Sequence, residues 1–203
     1  MSSVLVPAGR LARWIENFTD RHGGCALAVD GGRLTGRAPD GSHFAAALPF
    51  DRSYDGPPAP GPFIEAAACP ADWGLLLVRK GGFGIGRLHG ARLVDSKIGQ
   101  RHVQGRTKAG GQSQQRFARR RDNQARAAYE AAADHASRLL VGAPVLVCGG
   151  DRAAVDAVLG DPRLRRLAAV TVEPWLAVPD PRRAVLERAV VDAGSVRMAV
   201  TNA

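Results

Sequence analysis

The segment from Trp73 to Val103 constrains the fold of this chain more than any other. It reads WGLLLVRKGGFGIGRLHGARLVDSKIGQRHV, and its apolar runs are separated by turn-forming pairs at Gly81-Gly82 and His89-Gly90. Short apolar runs bounded by glycine turns are typical of consecutive antiparallel strands. The sequence therefore predicts a β-meander over residues 73–103.

Helices and strands alternate after this meander. Helical spacing of the apolar residues resumes at Ser113 and continues to about Leu140. The later pattern predicts strands over 144–149 and 166–174, helices over 151–160 and 180–194, and a final segment, 195–200, that either forms a short strand or ends disordered. A meander followed by such alternation indicates an α/β fold with a mixed β-sheet flanked by helices.

The residues before the meander contain a predicted helix and hairpin. Apolar residues at helical spacing predict a helix over 7–22, which Gly23-Gly24 ends. Strands are predicted over 25–30 and 42–48, with a hairpin turn at Gly31-Gly32. This part of the chain therefore adds one helix and further strands to the α/β pattern.

Residues 51–62 differ in composition from their surroundings. They carry four of the 13 prolines, which predicts an exposed loop. The length of 203 residues fits one large domain or two small ones. Because no repeat or low-complexity tail divides the sequence, we expect residues 1–203 to form a single domain.

The positive charge of the chain is concentrated in one segment. The net charge is +9, with 28 basic and 19 acidic residues. Residues 97–126 hold nine of those basic residues and one acid, so they carry +8 of the net charge. Such a patch on an otherwise balanced chain favours binding to a polyanion, with nucleic acid first. An anionic membrane fits less well because large apolar residues are missing opposite the arginines, and a merely solvated basic face stays open.

Several other classes of protein find no support in the sequence. No apolar run approaches the ~20 residues that span a membrane, and the N-terminus lacks the pattern of a secretory signal, so we expect a cytoplasmic protein. The three cysteines and five histidines show no metal-binding spacing, and we expect reduced thiols and no metal or cofactor. Because no nucleophile motif is present, an enzyme of this sequence would act without a covalent intermediate.

Two glycine-rich strings resemble phosphate-binding loops. GGFGIG at 81–86 is followed by a strand-like segment rather than by a helix, so a tight turn with close strand packing is the better interpretation. VLVCGGDRAAV at 145–155 lacks the Lys-Ser/Thr of a P-loop, which favours a plain strand-to-helix turn with Asp151 as N-cap.

The run GGQSQQRFARRR, from Gly110 to Arg121, resembles the catalytic segment of the eukaryotic and archaeal class-one translation release factors. In that family a Gly-Gly-Gln loop leads directly into Ser, two variable residues and Arg-Phe-Ala-Arg-x-Arg on a helix. The matching positions here are Gly110, Gly111, Gln112, Ser113, Arg116, Phe117, Ala118, Arg119 and Arg121. The layout is similar to a stand-alone bacterial branch of the Vms-type release-factor-like family.

This resemblance implies a fold, a loop and an activity. The fold would be like that of a release-factor GGQ domain, in which the meander leads into a mobile GGQ loop, here 104–113, and a long basic helix. The catalytic residues would be Gly110, Gly111 and Gln112. The reaction would be hydrolysis of the peptidyl-tRNA ester on stalled or obstructed large ribosomal subunits, a step of ribosome rescue and quality control.

The residue types of this motif suit that chemistry. Gly110 and Gly111 lack a Cβ, so the backbone can adopt positive φ and approach RNA closely. The backbone N–H of Gln112 can stabilise negative charge on oxygen in the transition state, while its side chain positions a water molecule. No titratable side chain is needed, in agreement with the missing nucleophile and metal motifs.

The expected partners follow from the basic segment and the resemblance together. We expect contacts with ribosomal RNA of the large subunit and with the 3′ end of peptidyl-tRNA, no membrane, and a monomeric protein. The candidate RNA-binding residues are Lys97, Arg101, Arg106, Lys108, Ser113, Arg116, Arg119 and Arg120. Two alternatives stay open, an endonuclease that cleaves the tRNA 3′ end and a non-catalytic ribosome- or tRNA-binding module.

Overall fold

The computed structural model describes residues 2–100 and 112–203, with side chains throughout these ranges except for 112–124. The chain divides into two compact units, Met1–Pro70 with Val191–Ala203, and Ala71–Val190. The expectation that residues 1–203 act as a single catalytic domain stays a prediction.

The first unit is an antiparallel sheet with helices. Its strands are β1 (Ser2–Pro7), β2 (Ala26–Asp30), β3 (Arg33–Arg37), β4 (His43–Ala47) and β10 (Ser195–Thr201), and its helices are α1 (Ala8–Arg21) and α2 (Pro60–Ala66). The strand order is β1-β10-β4-β3-β2, and every neighbouring pair is antiparallel. The first and last strands of the described chain therefore pair with each other.

Helix α1 covers one face of this sheet. Its residues Leu11, Ile15 and Phe18 are buried, at the i, i+4, i+7 spacing that places side chains on one helix face. They belong to the same core as Phe44 of β4 and Met198 of β10. Aromatic contacts strengthen this core, since the rings of Phe18 and Phe44 meet edge to face at 5.1 Å.

The second unit is built on a mixed sheet. Its strands are β5 (Trp73–Arg79), β6 (Gly82–His89), β7 (Arg92–Gln100), β8 (Leu146–Gly150) and β9 (Thr171–Leu176), and its helices are α3 (Gln112–Leu139), α4 (Arg152–Leu159), α5 (Arg165–Ala169) and α6 (Arg183–Ala193). In the order β7-β6-β5-β8-β9, the first three strands form an antiparallel meander, and β5, β8 and β9 are parallel.

Helices lie on both faces of the mixed sheet. Ala132, Ala136 and Leu140 of α3 and of the turn after it share a core with Leu76, Ile85 and Val155, the last from α4. On the other face, a Cβ at Gly84 of β6 would lie 3.3 Å from Pro181 and 3.6 Å from Leu186 of α6. Glycine at this position thus lets the chain around α6 approach β6 closely.

The structure confirms the mixed α/β fold and the meander, and it corrects several details. The strands form two sheets rather than one, because the strands of the first unit pair only among themselves. The predicted strand over 166–174 is wrong in its first part, where α5 forms and β9 begins only at Thr171. A helix forms in this part because Leu164 and Leu167 are buried at the i, i+3 spacing of a helical turn.

Other boundaries also differ from the predictions. Helix α6 begins at Arg183, three residues after the predicted start at residue 180. The segment 195–200 forms a strand. Most residues of the segment 51–62 are exposed, but Tyr54 is buried, where its hydroxyl donates to the Pro57 carbonyl at 2.7 Å, and residues from Pro60 onward belong to α2.

Close packing at Gly149 gives a test of the mixed sheet. A Cβ at this position would lie 2.5 Å from the Leu176 carbonyl oxygen, so β8 and β9 would have to move apart. We expect Gly149→Ala to lower the free energy of unfolding by about 1–3 kcal/mol in urea titrations. Gly61→Ala, at a helical position with open space around it, is the control and leaves stability unchanged or slightly raised. Equal losses in both variants would contradict the packing of β9 on β8.

Candidate nucleic-acid interface

Helix α3 extends well beyond the sheet on which it packs. It ends at Leu139, shortly before β8 begins at Leu146, so it runs from the edge where β8 ends towards the edge where β8 begins. His135 of α3 packs on Phe83, which pairs with Val78 near the end of β5 and so lies close to the first of these edges, with ring centres 5.8 Å apart. Tyr129, six residues earlier in the helix, is partly buried against the same core. From Tyr129 to Gln112 the helix axis covers about 25 Å. The N-terminal part of α3 therefore projects from the carboxyl edge of the parallel strands.

The predicted catalytic and RNA-binding residues fall on this projection or outside the described residues. Gln112 is the first described residue of α3 and Ser113 the second. The backbone of the same helix carries Arg116, Arg119 and Arg120. The remaining predicted residues, and most of the predicted mobile loop over 104–113, lie outside the described residues: Arg101, Arg106, Lys108, Gly110 and Gly111.

Lys97 is the one predicted residue whose side chain is described. It is exposed on β7, and its charge acts on His135 of α3. Along the helix, residue 135 is about 34 Å from Gln112. The structure therefore separates Lys97 from the start of α3, although only a short stretch of sequence lies between them.

Exposed cations at the carboxyl edge were missed by the sequence analysis. Arg79 is the last residue of β5, Lys80 follows it, and Arg152 opens α4 after β8. The Arg79 guanidinium donates to the Val178 carbonyl at 2.9 Å, and its Nε lies 3.4 Å from an Asp180 carboxylate oxygen. The Arg152 guanidinium lies 4.2 Å from the ring centre of Trp175, a cation–π contact. The carboxyl ends of parallel strands meet at one edge of a sheet. The position of these cations at or directly after the ends of strands was therefore the signal in the sequence that could have identified them.

The two glycine-rich strings are structural, as the sequence predicted. Gly82, Gly84 and Gly86 all lie in β6, and a Cβ at Gly86 would lie 2.8 Å from Leu93 of β7. Asp151 is the N-cap of α4, and its carboxylate accepts from the Ala153 N–H at 3.1 Å. Neither string forms a phosphate-binding loop.

The remaining reactive groups of the described residues suggest no second chemistry. Burial raises the pKa of the Cys148 thiol to about 12, so this cysteine is protonated and unreactive. No cluster of His, Cys, Asp or Glu among residues 2–100 and 112–203 has a metal-binding arrangement. None of the described helices is long and apolar enough to cross a membrane.

The sequence from residue 71 almost to the end of the chain matches a known family. The model of the Actinobacteria/chloroflexi VLRF1 release factors covers residues 71–199, more than half of the chain. The chain belongs to this release-factor family. The predicted relation to Vms-type release factors is thereby confirmed, since VLRF1 denotes a Vms-like release factor. The match begins at the residue where the second unit begins, and the first seventy residues lie outside it.

Comparisons with individual proteins give two distant similarities. One is to a structure described as an archaeal protein, with 17% identity, a TM-score of 0.36, and 77% of this chain and 50% of that chain covered. The other is to the crystal structure of the archaeal translation termination factor aRF1, with 17% identity, a TM-score of 0.39, and 94% and 63% covered. This chain thus matches about half to two thirds of the length of these proteins. No curated protein matches it.

The charge of Arg138 beside His135 gives a pH prediction. Burial, then Lys97 and Arg138, lower the pKa of His135, and an Arg138 Nη2 atom lies 3.2 Å from its Nδ1 atom. The unfolded chain therefore binds this proton more readily than the folded chain. The stability contributed by neutral His135 is complete above about pH 6.5 and is lost as the pH falls towards the folded-state pKa.

We expect Arg138→Gln to raise the pKa of His135 towards its ordinary value and to flatten this pH dependence. An NMR titration of the imidazole protons measures the pKa, and urea titrations at several pH values measure the slope. Arg165→Gln, an exposed charge change on α5 of the same unit, is the matched control and leaves both quantities unchanged. A pKa of His135 that Arg138→Gln leaves in place would refute this electrostatic contact.

Proposed function

We propose that this protein hydrolyses the ester of peptidyl-tRNA on stalled or obstructed large ribosomal subunits. The GGQ segment, Gly110, Gly111 and Gln112, carries the reaction, and the basic helix docks it on ribosomal RNA and on the tRNA 3′ end. The protein acts as a monomer in the cytoplasm and needs no metal, cofactor or covalent intermediate. Its biological role is ribosome rescue and quality control.

The observation that supports this proposal most is the position of Gln112. In a chain of a release-factor family, Gly-Gly-Gln meets the start of a helix whose first part projects about 25 Å from the sheet. A projection of this length suits a group that must reach a bond inside a cavity walled by RNA. The arginines along its backbone suit the phosphates of such walls.

The start of a helix also provides the donor that ester hydrolysis requires. The first four N–H groups of an α-helix have no acceptor within the helix, and the helix dipole favours negative charge there. Gln112, as the first helical residue, has such an N–H. Directed at the developing oxyanion, one preorganised donor contributes about 10²–10³ in rate. The ribosomal site orients the ester and the water, which adds to this effect.

Lys80 and Arg152 extend the proposed RNA-binding surface beyond α3. They are exposed at the edge from which the helix projects, so RNA that surrounds the projection also meets this edge. Lys97 of β7 acts on His135, which is about 34 Å along the helix from Gln112, so Lys97 contacts RNA of the same partner at a separate point.

Ester hydrolysis, cleavage of the tRNA and binding without cleavage leave different products, so an analysis of the products distinguishes them. Large ribosomal subunits that carry peptidyl-tRNA labelled on both the peptide and the tRNA are incubated with the protein. Hydrolysis gives free peptide and full-length tRNA. An endonuclease gives a shortened tRNA with a cyclic phosphate, because the RNA 2′-OH attacks the adjacent phosphate. Binding to the subunit without any cleavage identifies a non-catalytic binding module and refutes the proposal.

Two substitutions of Gln112 separate the effects of its side chain and of its N–H. Gln112→Ala keeps the N–H and removes the group that positions water, so peptide release slows by at least about tenfold. Gln112→Pro also removes the N–H, and proline is tolerated at the first helical position, so release slows by a further 10²–10³-fold or so. Single-turnover release of labelled peptide from large subunits measures both effects.

Matched controls come from the same turn of α3. Gln115→Ala makes the same side-chain change, and Gln114→Pro removes another N–H that has no acceptor in the helix. Both controls are expected to release peptide at close to the native rate. If Gln112→Ala releases peptide as fast as the native chain, the catalytic role of Gln112 is wrong.

The cations at the carboxyl edge give a second prediction. The affinity for deacylated tRNA falls with salt because bound phosphates release counterions. We expect the double variant Lys80→Gln/Arg152→Gln to reduce the slope of log K against log salt by about 1.5–2. Arg165→Gln/Arg166→Gln changes the same charge on α5, which precedes β9 and so lies at the opposite edge of the sheet, and it leaves the slope unchanged. Equal slopes in the native chain and in both double variants would contradict RNA binding at the carboxyl edge.

A further inference from the structure

The first unit has a sheet face that neither of its helices covers. Phe44, Ala46 and Met198 point to the buried side, together with α1. The residues that alternate with them along the strands point to the opposite side and are exposed or half-buried. We call this opposite side the outer face. It consists of Ser3, Leu5, Ala26, Ala28, Asp30, Arg33, Thr35, Arg37, His43, Ala45, Ala47, Arg197, Ala199 and Thr201.

The strand registers arrange the outer face in three rows across the sheet. The middle row contains only small side chains, since Thr35 pairs with Ala28 and Ala45, and Ala199 pairs with Ala45 and Ser3. One flanking row holds Arg37 beside His43, and the other holds Arg33 beside Asp30 and Arg197 beside Ala47.

The arginines stand at the borders of a flat area. Arg33 and Arg37 are four residues apart on β3, or about 14 Å, and β3 and β10 are two strand spacings apart, or about 10 Å. All three side chains, Arg33, Arg37 and Arg197, are exposed. Because the strands hold their backbones rigidly, a polyanion crossing the small residues meets guanidinium groups on both sides.

The charge of the first unit is divided between its surfaces. The outer face carries three arginines and one acid, Asp30, whereas the rest of the unit carries four arginines and seven acids. The unit as a whole is therefore nearly neutral, but its outer face is positive and its remaining surface negative. A polyanion approaching the unit is attracted to the outer face and repelled from the rest.

We propose that the outer face is a second RNA-binding surface of this protein, separate from the basic helix. Arginine presents a planar fork that binds a phosphate through two hydrogen bonds, and the small middle row lets a sugar-phosphate backbone lie close to the sheet. An acidic protein partner fits less well, since protein interfaces are enriched in aromatic residues and methionine at their centre. The outer face has no Phe, Tyr, Trp or Met, and Leu5 is at its border.

This surface goes beyond the proposed hydrolysis. Arg33 and Arg37 belong to the first seventy residues, which the family model does not include, whereas Arg197 lies within the matched residues 71–199. RNA is bound there through phosphates, without base recognition, because the face offers cations and no stacking platform. The surface holds RNA to the protein whether or not an ester is cleaved, so binding measurements test it independently of peptide release.

The test compares two triple variants of the full chain. The outer-face variant is Arg33→Gln/Arg37→Gln/Arg197→Gln, and the control is Arg10→Gln/Arg13→Gln/Arg21→Gln, three exposed arginines of α1 in the same unit. Affinity for a labelled oligouridine is measured from low to high salt. Three lost phosphate contacts reduce the slope of log K against log salt by about 2, and weaken binding at 0.15 M salt by about tenfold or more.

Each outcome supports or overturns the proposal. A reduced slope in the outer-face variant alone supports it, provided that urea titrations show both variants folded as stably as the native chain. Equal slopes in the native chain and the outer-face variant overturn it, as does an equal loss in the α1 variant. Competition by polyglutamate as strong as that by RNA at equal charge would also overturn it, because the face would then be a general anion surface suited to acidic proteins.

Discussion

The packing of helix α3 on the mixed sheet is the contact on which the proposed site depends. Its described buried positions are all alanines, and three of them, Ala132, Ala133 and Ala136, share a core with the sheet, so the helix axis can lie close to the strands there. Small side chains give each contact little apolar area, but three of them within about one turn fix the position of the helix on the sheet. The large residues that complete the core come from the sheet and α4, including Leu76, Ile85 and Val155.

This arrangement divides α3 into a packed part and a projecting part. Residues after Tyr129 are held between sheet and α4, while the helix continues for about 25 Å beyond the sheet edge. The projecting part is therefore held in place by the packing of the C-terminal part of α3. A long arginine-rich helix gains little from its own charges, which repel one another, and its net attraction arises only where phosphates surround it. The C-terminal part of α3 thus anchors the helix on the sheet, whereas its arginine-rich N-terminal part suits binding to phosphates.

The sequence predicted what local patterns encode. Helices α1, α3 and α4 have clear periodicity or a capping residue such as Asp151, and the meander has its glycine turns, so their positions were predicted to within a few residues. Strand β1 was not predicted, because its partner β10 lies at the other end of the chain and the exposed side chains of β1 show no alternation. The formation of two sheets likewise depends on pairings between distant residues, which no local window contains.

The sequence predicted the motif of the candidate site but not the cations that the fold adds at the edge of the sheet. Gln112 and the arginines after it were found from their order along the chain, whereas Arg152 and Lys80 come together only through the parallel pairing of β5 and β8. Lys97 shows a different case, since it is close to the motif in sequence but its charge acts on His135, far along α3 from Gln112. Its part in RNA binding stays a prediction.

Under the proposed function, the position of Gln112 as the first described residue of α3 has a physical reason. Beyond the first turn, a helical N–H is bonded to the carbonyl four residues earlier and has nothing to offer a substrate. A glutamine placed even one turn later would keep its side chain and lose its free donor, and the helix dipole would contribute less. In the sequence, the two glycines precede Gln112 and the arginines follow it. On the proposed function, the motif and the start of the helix must therefore be encoded together, because a backbone N–H without an acceptor and the positive end of the helix dipole coincide only in the first turn.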